Sequence, residues 1–160
     1  MGSINIIIKT KDTEFYAHRR VLKLRTSFFE DKIKVMQIKE DKLVTVTMDE
    51  AADGGYYCTT HAVWRFLNWC YTGDYSGQSQ KIGLNHDDHL GALRHCEVYH
   101  LAAKFDIPDL KNLAVTKLAT HLSSKWVASE FPEIVVSMEI PREQQRHPLG
   151  CFIRSKGSHR

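Results

Sequence analysis

The chain has no apolar run approaching the roughly 18 residues that a membrane span requires. Its opening, Met1-Gly2-Ser3, lacks the basic-then-apolar pattern of a secretion signal. Position 6 is Ile, where a myristoylation signal at Gly2 would carry Ser or Thr. No membrane partner is expected, and the expectation is a soluble chain of the cytoplasm or nucleus. Cysteine is scarce: Cys58, Cys70, Cys96 and Cys151 form no Cys-x-x-Cys pair, and Cys70 and Cys96 fall inside helical apolar patterns. There a free thiol behaves as a small hydrophobe, as in a reducing compartment. With four prolines and nine glycines in 160 residues, the chain is neither collagen-like nor of low complexity.

Charge of one sign is also missing. Twenty-two basic residues face 19 acidic ones, for a net charge of +3 spread along the chain. A nucleic-acid binder needs a concentrated basic face. Arg19, Arg20, Lys23 and Arg25, with the tail residues Arg154, Lys156 and Arg160, are too interleaved with acids to form one. The phosphate-binding and zinc-protease signatures (GxGxxG, GxxxxGK, HExxH) are absent, and neither Cys70 nor Cys96 sits in the accessible, electropositive setting a nucleophilic thiol needs. No catalytic residue, cofactor or small-molecule substrate is therefore expected. His86-Asp87-Asp88-His89 with His95, Cys96 and His100 offers zinc-type ligands. His95 and His100, however, lie five apart on a helix, about 140° around its axis, so no metal site is expected. A chain of this length buries a sufficient core without metal or disulfide.

What is present is a sequence of periodic segments. Ile4 to Lys9 and Glu14 to His18 flank a polar turn and read as a β-hairpin. Val21, Leu22, Leu24, Phe28 and Phe29 fit two short helices with a break at Thr26-Ser27, where a hydroxyl can cap the second. Leu43 to Met48 alternates with period two and reads as a third strand. Val63, Phe66, Leu67, Cys70 and Tyr71 follow helical spacing behind the caps Thr59 and Thr60, and Gly73 supplies the left-handed residue at the end. Residues 76 to 89 read as a polar loop. Leu90, Leu93, Val98, Leu101, Ala102 and Phe105 mark the next helix, and Pro108 opens another carrying Leu110, Leu113, Ala114, Leu118 and Leu122. Pro132 can open a last helix with Ile134, Val135 and Met138, after Trp126 and Phe131. Phe15, Leu22, Phe29, Val46, Leu67, Tyr71, Leu101 and Leu110 are expected in one core, and the tryptophans, including Trp64 and Trp69, pack rather than stack on a ligand.

Glu14-Phe15-Tyr16-Ala17-His18-Arg19-Arg20-Val21-Leu22, followed by Arg25-Thr26-Ser27-Phe28-Phe29, resembles the signature of BTB/POZ domains. Tyr71-Thr72-Gly73-Asp74-Tyr75 resembles a second family segment, and Tyr99-His100-Leu101-Ala102-Ala103-Lys104-Phe105-Asp106-Ile107-Pro108-Asp109-Leu110 a third, in the family's order. With Trp126 and Phe131-Pro132-Glu133-Ile134, the pattern is similar to short BTB proteins of filamentous fungi. The resemblance implies an α+β, BTB/POZ-like fold, with a small, mostly antiparallel sheet capped by a cluster of short helices. It implies a BTB/POZ-like domain over 4–122, a helical extension over 123–140 and a basic, flexible tail over 141–160. Phe15, His18, Leu22, Phe29, Tyr71 and Gly73 are its structural signature, with His18 holding a buried turn by hydrogen bonding.

The implied function is protein–protein interaction without catalysis. The family's charged pocket pairs a first-strand Asp with Arg19, but Asn5 stands in the Asp position. An amide can accept from a guanidinium and cannot offset its charge, so corepressor binding through that pocket is not expected. Only three residues precede Ile4, which leaves no exchanged N-terminal strand and points to a weak homodimer built on another surface. Ile38-Lys39-Glu40 resembles the hydrophobic-x-Glu motif by which BTB adaptors contact a cullin scaffold. In the competing reading Ile38 is an exposed residue of a charged loop. The two candidate roles are a substrate adaptor of a cullin-type ubiquitin ligase and a purely structural oligomerisation domain of a fungal transcriptional or regulatory protein.

Overall fold

The computed structural model describes residues 2–39, 41–48, 59–77, 88, 91–125, 128–130, 132 and 134–135. Strands β1 (Ile6–Lys9) and β2 (Glu14–Ala17) form the expected hairpin. Its turn closes through Thr10, whose backbone N–H and Oγ1 both donate to the Thr13 carbonyl, at 2.8 and 3.0 Å. The β-branched run favours extended backbone, and alternation sets the register. Ile6 pairs with Ala17 and Ile8 with Phe15, facing the core, while Ile7 and Tyr16 share the opposite face. Strand β3 (Val44–Thr47) lies on the other side of β1, parallel to it, and puts Val44 and Val46 beside Ile6 and Ile8. The order is β2-β1-β3, antiparallel on one side of β1 and parallel on the other. The parallel pairing is reached through a two-helix crossover, as a parallel neighbour requires.

That crossover is α1 (Arg19–Arg25) and α2 (Phe28–Val35). Thr26 breaks them apart in extended conformation. Its hydroxyl donates to the Phe105 carbonyl at 2.7 Å and accepts from the Phe28 N–H at 3.1 Å, so the capping oxygen belongs to Thr26 rather than Ser27. Helix α3 (Thr60–Thr72) begins where the Thr59 side chain accepts from the Ala62 N–H and ends at Gly73, with φ at 81°. Helices α4 (Leu93–Lys104) and α5 (Pro108–Ser124) pack against each other across a joint at Asp106, in the left-handed region with φ at 53°. No helix among the described residues is long and apolar enough to cross a membrane.

The sheet's inner face, α1 and α2 meet α3, α4 and α5 in one core. Phe29, Phe66 and Phe105 stand within 5.8 Å of one another by ring centroids. Leu22, Phe29, Val46, Leu67, Leu101 and Leu110 are buried in it, with Phe15 half-buried against it. Tyr71 is a correction: it is 41% exposed. Helical spacing aligns it with Leu67 and Cys70, but at the end of α3 the ring lies outside the core and sends its hydroxyl to His18. Trp69 is buried and Trp64 half-buried. A second, smaller cluster joins Ala92, Cys96 and Ile134, with Leu118 and Leu122 against it. The expected features at Trp126, Phe131, Met138, the tail 141–160 and most of the 76–89 connection lie outside the described residues.

Candidate interaction surface

The start of α1 collects the signature residues. The Asn5 Oδ1 accepts from the backbone N–H of Arg19 at 2.8 Å, so the amide serves the helix terminus rather than the guanidinium. The guanidinium instead makes a fork on Glu30 of α2, Nε to Oε1 and Nη2 to Oε2, both at 3.2 Å. Arg19 is buried and the Glu30 side chain only 12% exposed. Bidentate pairing of this kind is what a desolvated guanidinium needs. Glu30 therefore supplies the negative charge that Asn5 lacks. It was not evident from the sequence, because eleven residues separate it from Arg19 and no local spacing links them.

Arg19 also reaches forward: its Nη1 donates to the Lys39 carbonyl at 3.3 Å, tying the loop between α2 and β3 to the start of α1. Ile38, in that loop, is half-buried and packs against the core, which corrects the expectation of an exposed side chain. Glu40, the second half of the motif, lies outside the described residues. Arg20 and Lys23 line a cleft of about 230 Å³ with Asn5, Arg19 and Glu30. Large apolar side chains stand open nearby in the chain: Leu24 of α1 at 81%, Val35 of α2 at 84% and Met36 at 47%.

His18 joins this region to α3. Its backbone N–H donates to the Tyr71 hydroxyl at 3.0 Å, and its Nδ1 lies 2.7 Å from the same oxygen. The hydrogen-bonding role expected of His18 is there, but at a half-exposed position rather than a buried one. Gly73 closes α3 with its N–H on the Trp69 carbonyl at 2.8 Å.

The largest feature not visible in the sequence is a buried ionic group between α3 and α4. Arg65 is fully buried and its Nη1 donates to Asp88 at 3.0 Å, with Nη2 on the other carboxylate oxygen. Arg94 Nε stands 3.1 Å from Asp88, and Arg94 Nη1 donates to the Gly77 carbonyl at 2.6 Å. Asp88, from a stretch that suggested a metal ligand, is thus an ion-pair partner. Glu97 lies beside the group; burial first, then the Asp88 charge, pushes its carboxyl up to about 8. His95 and His100 are both buried, and His86 and His89 lie outside the described residues. Among the described residues no three His, Cys, Asp or Glu side chains converge as a metal would need. Burial pushes the Cys70 thiol up to about 12, opposed by Arg25, which leaves it a packing residue.

No curated protein matches the chain. The family model described as "BTB/POZ domain" matches residues 3–122, which takes in every described strand, helices α1 to α4 and nearly all of α5. Since that match covers most of the chain, the chain belongs to the BTB/POZ family, whose domains are protein-interaction and oligomerisation modules.

Proposed function

We propose that this BTB/POZ chain is a substrate adaptor that docks on a cullin-type scaffold of a ubiquitin ligase, in the cytoplasm or nucleus. The observation that favours this reading is the arrangement at the ends of α1 and α2. There Leu24, Val35 and Met36 are open, and the following loop, which carries Ile38, is tied by Arg19 to the helix pair. Exposed apolar anchors beside a fixed loop are the raw material of an interface hot spot. Ile38 and Glu40 form the apolar and acidic parts of the contact. Cys70 and Cys96, buried and outside any disulfide, suit a reducing compartment. Pull-down with cullins of the source organism tests this, and wild type failing to bind any of them overturns it. Ile38→Ala weakens binding at least tenfold, about 1.4 kcal/mol. Because Ile38 packs against the core, its melting curve is read alongside that of Val35→Glu, which changes binding without touching the core.

The same open residues favour a second reading, a purely structural oligomerisation domain of a fungal regulatory protein. Here a second copy covers Leu24 and Val35, and the dimer dissociates on dilution to low micromolar, since interface quality sets affinity. Light scattering across a dilution series tests it. Leu24→Glu gives a monomer, and an unchanged oligomer in that variant removes this surface as the interface.

A further inference from the structure

The loop between α2 and β3 is built from hydrogen bonds as much as from packing. Gln37 takes the left-handed region, with φ at 55°, and turns the chain off the end of α2, its N–H on the Lys34 carbonyl at 3.1 Å. Ile38 then packs against the core. Beyond it Lys39, Asp41, Lys42 and Leu43 are exposed, so burial does not decide where that part of the loop sits. Its fixed point is the Lys39 carbonyl, which accepts from the Lys42 N–H at 3.2 Å and from Arg19 Nη1 at 3.3 Å. The first bond closes a turn within the loop, and the second ties that turn to α1.

An exposed carbonyl is ordinarily a weak anchor, because water competes for it. The donor here is different in kind. Arg19 is buried, Asn5 Oδ1 holds its backbone N–H at 2.8 Å, and its Nε and Nη2 fork onto Glu30. That fork occupies one edge of the planar guanidinium and leaves Nη1 on the loop, so α1 and α2 set the donor's place independently of the loop. A lysine ammonium at this position can pair with Glu30 but has no rigid second arm for the Lys39 carbonyl.

We propose that Arg19 is a positioning residue for the docking surface: braced by Glu30, it holds the loop that carries Ile38 in one arrangement before any partner arrives. A loop ordered in advance spares the complex the cost of ordering it, which is how preorganisation raises affinity. Glu30 acts at one remove, by fixing the guanidinium rather than by touching the loop's carbonyl. The identity of the partner rests on the adaptor reading, whereas the order of the loop is a property of the free chain and does not.

NMR relaxation and amide exchange of the intact protein, read at Lys39 and Lys42, are the direct test. In the wild type both amides are as ordered as those of β1, and fast motion at them overturns the proposal without any variant. Arg19→Lys keeps a positive charge opposite Glu30 and loses the fork. In that variant the Lys42 N–H exchanges at least tenfold faster, while the amides of Ile6, Ile7 and Ile8 stay within about twofold of wild type. Undiminished protection of Lys42 in the folded variant overturns Arg19 as the loop's anchor. An equal rise in the strands overturns it too, because it reports loss of global stability instead. Capture of cullins separates the two readings. A wild type that binds none removes the adaptor reading and leaves the exchange result to judge Arg19, whereas a cullin held equally by wild type and Arg19→Lys overturns the positioning role.

Discussion

Arg19 shows how a single buried charge is made tolerable. Its guanidinium is taken out of water and recovers the lost hydration through Glu30 and the Lys39 carbonyl. Removing one partner of a buried ion pair typically costs about 3 kcal/mol. Glu30→Gln is therefore expected to lower the unfolding free energy by that amount in urea titration, whereas Asn5→Ala loses one helix-start hydrogen bond, about 1 kcal/mol. If the two variants were equally mild, Glu30 would not be the counter-charge. Glu97 and His95 set opposite pH dependences. Glu97, near 4.5 ordinarily and about 8 when folded, keeps a proton that the unfolded chain gives up. Its contribution therefore falls as pH rises from about 4.5 to 8. His95, near 6.5 ordinarily and about 4 when folded, refuses a proton that the unfolded chain accepts. Its contribution falls as pH drops from about 6.5 to 4. Glu97→Gln should flatten the alkaline decline of stability between pH 6.5 and 8 relative to wild type, and an unaltered slope would refute the buried-acid account.

At the scale of the element, α3 organises the molecule. Nine of its thirteen residues are buried, which makes it a central helix rather than a half-exposed one. Its ends are set locally, by Thr59 at the start and Gly73 at the finish. Gly73 has φ at 81° and nothing within 4 Å of an added Cβ, so a substitution there costs backbone strain alone. Gly73→Ala is expected to destabilise by about 1 kcal/mol, and Gly73→Asn by less, because Asn visits the left-handed region more readily. A clash would penalise Asn more than Ala, so the order of the two midpoints in denaturant decides between the explanations.

For the whole molecule, the second cluster carries the consequence. Ile134 packs on Cys96 and Ala92, with Leu118 and Leu122 beside them, so residues past α5 help cover the α4–α5 pair. Burying an Ile side chain contributes about 1.5–3 kcal/mol. A chain ending at Lys125 should keep the main core, which is a separate cluster, and remain folded with stability reduced by about that amount. Cys96, fully buried when Ile134 is in place, should then react faster with a thiol reagent, while Cys70 keeps its wild-type rate. Equal protection of Cys96 in both chains would show that Ile134 does not shield it.

The hairpin, the third strand, helices α1 to α5 and the Thr59 and Gly73 ends of α3 were legible in the order of residues. Each follows from a pattern within a few positions: alternation at Ile6 to Ile8 and Val44 to Val46, the Thr59 and Gly73 bounds of α3, and Pro108 at the start of α5. The family, too, was carried by contiguous strings around His18, Gly73 and Pro108. What the tertiary structure alone decided are the partnerships between elements. Glu30 answers Arg19 across a helix break, Asp88 answers Arg65 from 23 residues away, and Ile38 finds the core from inside a charged loop. Tyr71 goes the other way, matching the helical period of α3 yet standing 41% exposed near the end of that helix, with its hydroxyl taken up by His18. Periodicity reports which face of an element is apolar; burial of a charge, or exposure of a ring, depends on what another element brings to that place.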